Sequence, residues 1–150
     1  MSYLRYSVRI VLAVLVCAFS FSSCSDKNNL NLGGGGGGAV ISANINGESW
    51  GVSQGYARVV PPFGLEIYGA DNLSNISLYI SPYNGPGNYQ LNGNTAIIYT
   101  EGALEYTSTI GTITINTDDG TYVEGTFSCQ AFNSSTLLEF TSGSFGVQKQ

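Results

Sequence analysis

Histidine is absent from this 150-residue chain, so carboxylates, phenols and thiols carry most of the chemistry its side chains can offer. Nine acids follow residue 38: Glu48, Glu66, Asp71, Glu101, Glu105, Asp118, Asp119, Glu124 and Glu139. Two carboxyls facing one cleft are what glycoside hydrolysis requires, one as acid and the other as base or nucleophile. Most of these acids fall in turns or on outward strand positions, which predicts solvated surface charges instead. Asp118-Asp119-Gly120 lacks the D-x-D-x-D-G spacing of a calcium loop and reads as hairpin turn chemistry. Ser-His-Asp and Cys-His arrangements cannot be assembled without histidine. Cys129 shares parity with Phe127 and Ala131, which predicts a thiol in the core, and it has no cationic sequence neighbour to stabilise a thiolate. Gly33 to Gly38 lacks the Lys-Ser/Thr and the strand-to-helix context of a phosphate loop. The expectation is a non-enzyme with no catalytic residues, no metal and no cofactor.

The phenols offer binding rather than catalysis. In YISPYNGPGNYQLNGN, Tyr79, Tyr83 and Tyr89 stand among Asn84, Asn88, Gln90 and Asn92. Aromatic faces stack on the C–H faces of sugars while amides take the hydroxyls, so Tyr79, Tyr83, Tyr89, Asn84 and Asn88 form a candidate glycan-binding edge. Tyrosine is equally a residue of strand surfaces, where it pairs across neighbours, and this structural role is the competing expectation. Trp50, the lone tryptophan, is expected to plug the core.

The elements that must position these residues are strands. Ile76, Leu78 and Ile80 alternate with polar neighbours, as do Ile113 and Ile115, and Val123, Gly125, Phe127, Cys129 and Ala131. Period-two alternation is the pattern of antiparallel strands with one face on a core and one in water. Asn46-Gly47, Asn84-Gly85, Asn92-Gly93 and Asp119-Gly120 favour tight turns between them. Strands are predicted at 39–45, 49–53, 55–60, 64–69, 74–81, 87–91, 95–100, 106–117, 121–132 and 136–148. In the last, apolar parity switches from Leu138 and Phe140 to Phe145 and Val147 across Ser142-Gly143, which predicts a β-bulge. The fold class is therefore all-β: an antiparallel sandwich of about nine to ten short strands, with a small closed or partly open barrel as the alternative.

Ahead of this domain the chain reads as an address. Met1 to Arg9 carries two arginines and no acid, and Ile10 to Phe21 is almost wholly apolar. Twelve apolar residues span about 18 Å as a helix, short of the roughly 30 Å hydrocarbon core, so a signal peptide fits and a membrane-spanning helix does not. Small residues Ser22-Ser23 precede Cys24, an arrangement that resembles the lipobox of bacterial lipoproteins, whose cysteine is acylated and becomes the new N-terminus. The expected division is signal peptide 1–23, lipidated Cys24 with a Gly-rich linker 24–38, and one β domain 39–150. A Gly-rich coil of this length reaches roughly 20 Å. With Cys17 removed and Cys24 lipidated, Cys129 has no disulfide partner. Arg5 and Arg9 leave with the signal, so three bases remain against ten acids, a net charge of −7. That charge repels phosphate backbones, and no nucleic-acid partner is expected.

The Cys24 lipobox, the polar linker and the segments ISANINGESW, GPGNYQLNG, GTITI, VEGTFSCQAF and SGSFGV together resemble a family of uncharacterised lipoproteins of Bacteroidota. Cys129 and Ser142 depart from the aromatic or small apolar residue and the Asn common at those places. The resemblance implies a small β domain at the cell envelope and supplies no chemistry. The expected function is a lipid-anchored, non-catalytic binding or structural role, on the outer membrane at its surface or periplasmic face, with a glycan or envelope protein as partner. The alternatives are a carrier of a small apolar ligand inside a barrel and, behind it, a carboxylate-based glycan hydrolase.

Overall fold

The computed structural model describes residues 40–150, and every element in them is a strand. The signal peptide, Cys24 and the linker fall outside the described residues. The strands are β1 (Ile41–Ile45), β2 (Glu48–Val52), β3 (Gln54–Val60), β4 (Gly64–Ala70), β5 (Ser74–Ile80), β6 (Gly87–Gln90), β7 (Ala96–Glu101), β8 (Leu104–Asp118), β9 (Tyr122–Phe132) and β10 (Leu137–Gln148). All strand pairs are antiparallel, in one sheet of order β2-β1-β10-β9-β8-β7-β5-β4-β3. β6 lies off this path and pairs with the second half of β8, beyond the segment that pairs with β7.

Of the two architectures open on sequence, the sheet takes the rolled, barrel-like one. Its two edges, β2 and β3, are consecutive in the chain with only Ser53 between them, so covalent continuity draws the edges together. The end of β10 completes the approach: Ala57 and Lys149 form a parallel bridge, and the Gln150 N–H donates to the Ala57 carbonyl at 2.8 Å. A rolled sheet removes the open edges on which strands of other chains add.

Alternation decides what fills the interior. Ile67, Ile76, Leu78, Ile80, Ile97 and Ile113 are fully buried, as are Ile41, Leu65 and Ala57, and they form one cluster. Phe127, Phe140, Phe145 and Tyr99 add rings to it. The side chains themselves therefore occupy the barrel interior. Cys129 is among them at 5% exposure, and burial pushes its thiol up to about 11, in keeping with an inert core residue. Trp50 is only half-buried. Its ring stands edge-on to Tyr99 at 5.4 Å, and its Nε1 donates to Ser74 Oγ at 3.0 Å, so it closes the rim of the core where the indole N–H can find a partner.

The turns follow their residues. Asn46 and Gly47 have φ of 51° and 87°, the two positive values that a two-residue hairpin of matching twist needs. The bulge expected at Ser142-Gly143 is present: register shifts between Phe140 and Gly143, and Ser142 has φ of 53°.

Candidate functional site

Two groups of tyrosines occupy different places. The first lies on the outer face of β3, β4 and β5. Register places Tyr56 opposite Tyr68 and Arg58 opposite Glu66 across β3 and β4, then Tyr68 opposite Ser77 and Glu66 opposite Tyr79 across β4 and β5. The intervening residues Ala57, Leu65, Ile67 and Leu78 point into the core, so these six side chains share the solvent face. The Tyr56 and Tyr68 rings lie 5.3 Å apart at 34°, and the Arg58 guanidinium sits 5.9 Å from the Tyr56 centroid. Tyr79 lies beside them. A Cβ at Gly64 would stand 2.9 Å from its hydroxyl, so the bare backbone there is what lets the phenol lie across β4.

A polar network runs between the rings. Arg58 Nε donates to Glu66 Oε2 at 2.5 Å, and Ser77 Oγ donates to Glu66 Oε1 at 2.7 Å. Glu66 is thus fixed by both neighbours and its side chain is only 16% exposed, while that of Arg58 is 55% exposed and turns the rest of its donor fork to water. One cation and one anion make the patch locally neutral on an otherwise acidic domain. Aromatic faces around preorganised donors and acceptors suit a ligand with both C–H faces and hydroxyls.

The second group is a clasp at one end of the barrel. Tyr83 Oη and Lys149 Nζ both donate to Asp118 Oδ2 at 2.7 Å, and the Gly120 N–H donates to Oδ1 at 2.9 Å. Burial opposes the Asp118 charge, but Lys149, Tyr83 and Gly120 together outweigh it and hold the carboxyl below its usual range. Burial, reinforced by the Asp118 carboxylate, raises Tyr83 far above an ordinary phenol. Tyr89 stacks beside Tyr83 at 5.8 Å, donates its hydroxyl to the Gly85 carbonyl and accepts the Asn84 N–H at 3.1 Å. These partners use up the polar ends, and both rings lean on the core. The clasp ties the segment 81–86, the β8–β9 turn and the C-terminal residues together.

The sequence-predicted edge is therefore distributed. Tyr83 and Tyr89 meet in the clasp, with Asn84 exposed in the adjoining turn. Asn88 faces outward on β6, where its Oδ1 accepts from Thr114 Oγ1 at 2.8 Å. Tyr79 belongs to the outer face with Tyr56 and Tyr68, which sequence reading did not single out. The signal for that pair was present: strands predicted at 55–60 and 64–69 around Pro61 to Phe63 form a hairpin, whose register sets 56 opposite 68. Glu66 and Asp118 also depart from the expected free surface charges, each being held by a cation and a hydroxyl.

No curated protein and no protein of solved structure matches the chain. Residues 38–147 match the family model described as Domain of unknown function (DUF6252). By that match, which covers nearly all of the described β domain, the chain belongs to the DUF6252 family.

Proposed function

We propose that this chain is a lipid-anchored envelope protein whose β domain binds neutral polysaccharide on the outer face of β3, β4 and β5, without catalysis. The observation that carries this reading is the group of Tyr56, Tyr68 and Tyr79 around the Arg58–Glu66–Ser77 network. Because side chains occupy the interior, binding falls to the outside of the barrel rather than to a lumen. A sugar ring stacked on Tyr56 and Tyr68 would set its hydroxyls against Glu66 and the exposed Arg58 donors. Local neutrality favours an uncharged glycan over a phosphorylated or sulfated one.

Retention on a panel of insoluble neutral glucans, xylan and mannan tests this. The protein is expected to bind at least one, and Tyr56→Ala and Tyr68→Ala are each expected to weaken that binding about tenfold, the effect of losing one stacking ring. Tyr83→Phe, which alters only the clasp, leaves affinity unchanged. No retention on any of the glycans, or unchanged retention of the Tyr68→Ala variant, refutes the reading.

Anchoring rests on the order of charge, apolar run, small residues and Cys24 in the sequence. Cys24→Ala is expected to abolish incorporation of labelled palmitate and to move the protein wholly from the membrane to the soluble fraction. Continued labelling of the variant would place the acyl chain on another residue and overturn the assignment to Cys24.

A further inference from the structure

The turns joining β1 to β2, β4 to β5, β7 to β8 and β9 to β10 all lie at the end of the barrel opposite the clasp. Backbone bonds hold this end together: the Asn46 N–H of the β1–β2 turn donates to the Glu139 carbonyl of β10 at 2.9 Å, and the Gly102 N–H of the β7–β8 turn donates to the Leu73 carbonyl of the β4–β5 turn at 3.0 Å. Four large apolar side chains project there, Leu73 at 79% exposure, Leu104 at 55%, Leu137 at 47% and Phe132 at 43%. They are held in place. Asp71 Oδ1 accepts the N–H groups of both Leu73 and Ser74, at 2.8 and 2.7 Å, fixing the turn that presents Leu73. Phe132 and Leu137 face each other as the terminal pair of β9 and β10.

The same end concentrates negative charge. Glu48, Asp71, Glu101, Glu105 and Glu139 lie in or within three residues of these turns, and all five are exposed. None forms an ion pair among the described residues, whose two bases, Arg58 and Lys149, are paired with Glu66 and Asp118 away from this end. Five of the nine domain acids thus share one end of the barrel with an apolar surface, where the described residues place no cation. Isolated exposed apolar residues are ordinary, but three leucines and a phenylalanine at one end with five acids make a surface with a definite complement.

We propose that this end of the barrel docks a cationic amphipathic polypeptide, whose apolar side chains cover Leu73, Leu104, Phe132 and Leu137 while its lysines and arginines meet the carboxylates of the same end. Charge complementarity selects this occupant. A second copy of the chain would bring like charge to like, and an anionic bilayer would be repelled in the same way. The inference stands on residues distinct from the tyrosine face and is independent of glycan binding.

A fluorescence-anisotropy titration of the protein, purified as the cell makes it, with a labelled amphipathic Lys/Leu peptide tests the proposal. A Lys/Ser peptide of equal charge and a Glu/Leu peptide serve as comparison probes. The Lys/Leu peptide is expected to bind, with affinity falling about tenfold from low to physiological salt. Leu73→Ser with Leu104→Ser, and separately Glu101→Gln with Glu105→Gln, are each expected to weaken it about tenfold. Asp119→Asn with Glu124→Gln removes the same charge elsewhere and leaves binding unchanged. Equal binding of the Lys/Ser and Lys/Leu peptides would reduce the effect to bulk charge and overturn the proposal. Binding of the Glu/Leu peptide, or equal weakening by the Asp119 and Glu124 changes, would overturn it as well.

Discussion

Gly111→Ala is expected to be among the most damaging single changes in the domain, lowering stability by about 3–6 kcal/mol and leaving little folded protein at physiological temperature. Gly111 sits where β8 changes partner. Up to Ser108 the strand pairs with β7, and from Thr112 it pairs with β6, while β9 pairs along its other side from Thr107 onward. The register with β9 shifts between Thr107 and Ile110, and Gly111 follows at φ of 139°, a conformation that costs any L residue strain. A Cβ there would stand 2.2 Å from the Ser128 carbonyl oxygen and 2.7 Å from Cys129 Cα. Both obstacles are backbone of a central strand, so neither can turn aside as a flexible side chain would. Thermal denaturation monitored by near-UV circular dichroism checks this, with Gly93→Ala, at a turn where nothing lies within 4 Å of the added carbon, as the milder comparison. A Gly111→Ala protein that melted like the wild type would show that β8 does not need the bend.

Asp118→Ala is expected to cost about 2–4 kcal/mol, because it strands Tyr83 Oη and Lys149 Nζ together. The Lys149 side chain is only 16% exposed, so water compensates it poorly. For a domain of this size the loss corresponds to a melting point lower by roughly 10–20 °C. The effect depends on pH with a defined sign. The folded-state pKa of Asp118 is depressed, so its contribution is fully present above the unfolded carboxylate value near about 4 and is lost as pH falls through the folded value. The gap in melting temperature between wild type and Asp118→Asn should therefore be widest near neutrality and close below about pH 4. Asp71, also depressed by the N–H groups of Leu73 and Ser74, is common to both proteins and cancels in the comparison. A gap that did not change with pH would mean that the carboxylate's charge is immaterial to the clasp.

The local architecture was legible in the sequence because it is written at short range. Period-two alternation located all ten strands, Asn46-Gly47 specified its turn, and the parity change across Ser142-Gly143 exposed a bulge. Alternation is silent about closure, however. A strand with one buried face looks the same in a sandwich and in a barrel, and only the Ser53 corner joining the two sheet edges, with the Ala57–Lys149 bridge, distinguishes them. The site suffered from the same limit. Tyr79, Tyr83 and Tyr89 are close in sequence, yet Tyr79 still follows the outward face of β5 whereas Tyr83 lies beyond the strand and turns onto the core. Its companions Tyr56 and Tyr68 come from a hairpin earlier in the chain, and register rather than composition brings them together. Trp50 illustrates the remaining gap: residue type favours a core plug, but the indole N–H needs a partner, and Ser74 at the rim supplies one.

Amide chemical-shift mapping on the isotope-labelled protein, titrated with a soluble oligosaccharide of whichever polysaccharide retains it, locates the bound sugar on the barrel. The shifted resonances are expected to cluster at Tyr56, Arg58, Glu66, Tyr68, Ser77 and Tyr79, on three neighbouring strands, while those of Asp118, Gly120 and Lys149 stay still. Shifts centred on Tyr83, Tyr89 and the β8–β9 turn, with β3 and β4 unmoved, would contradict this placement.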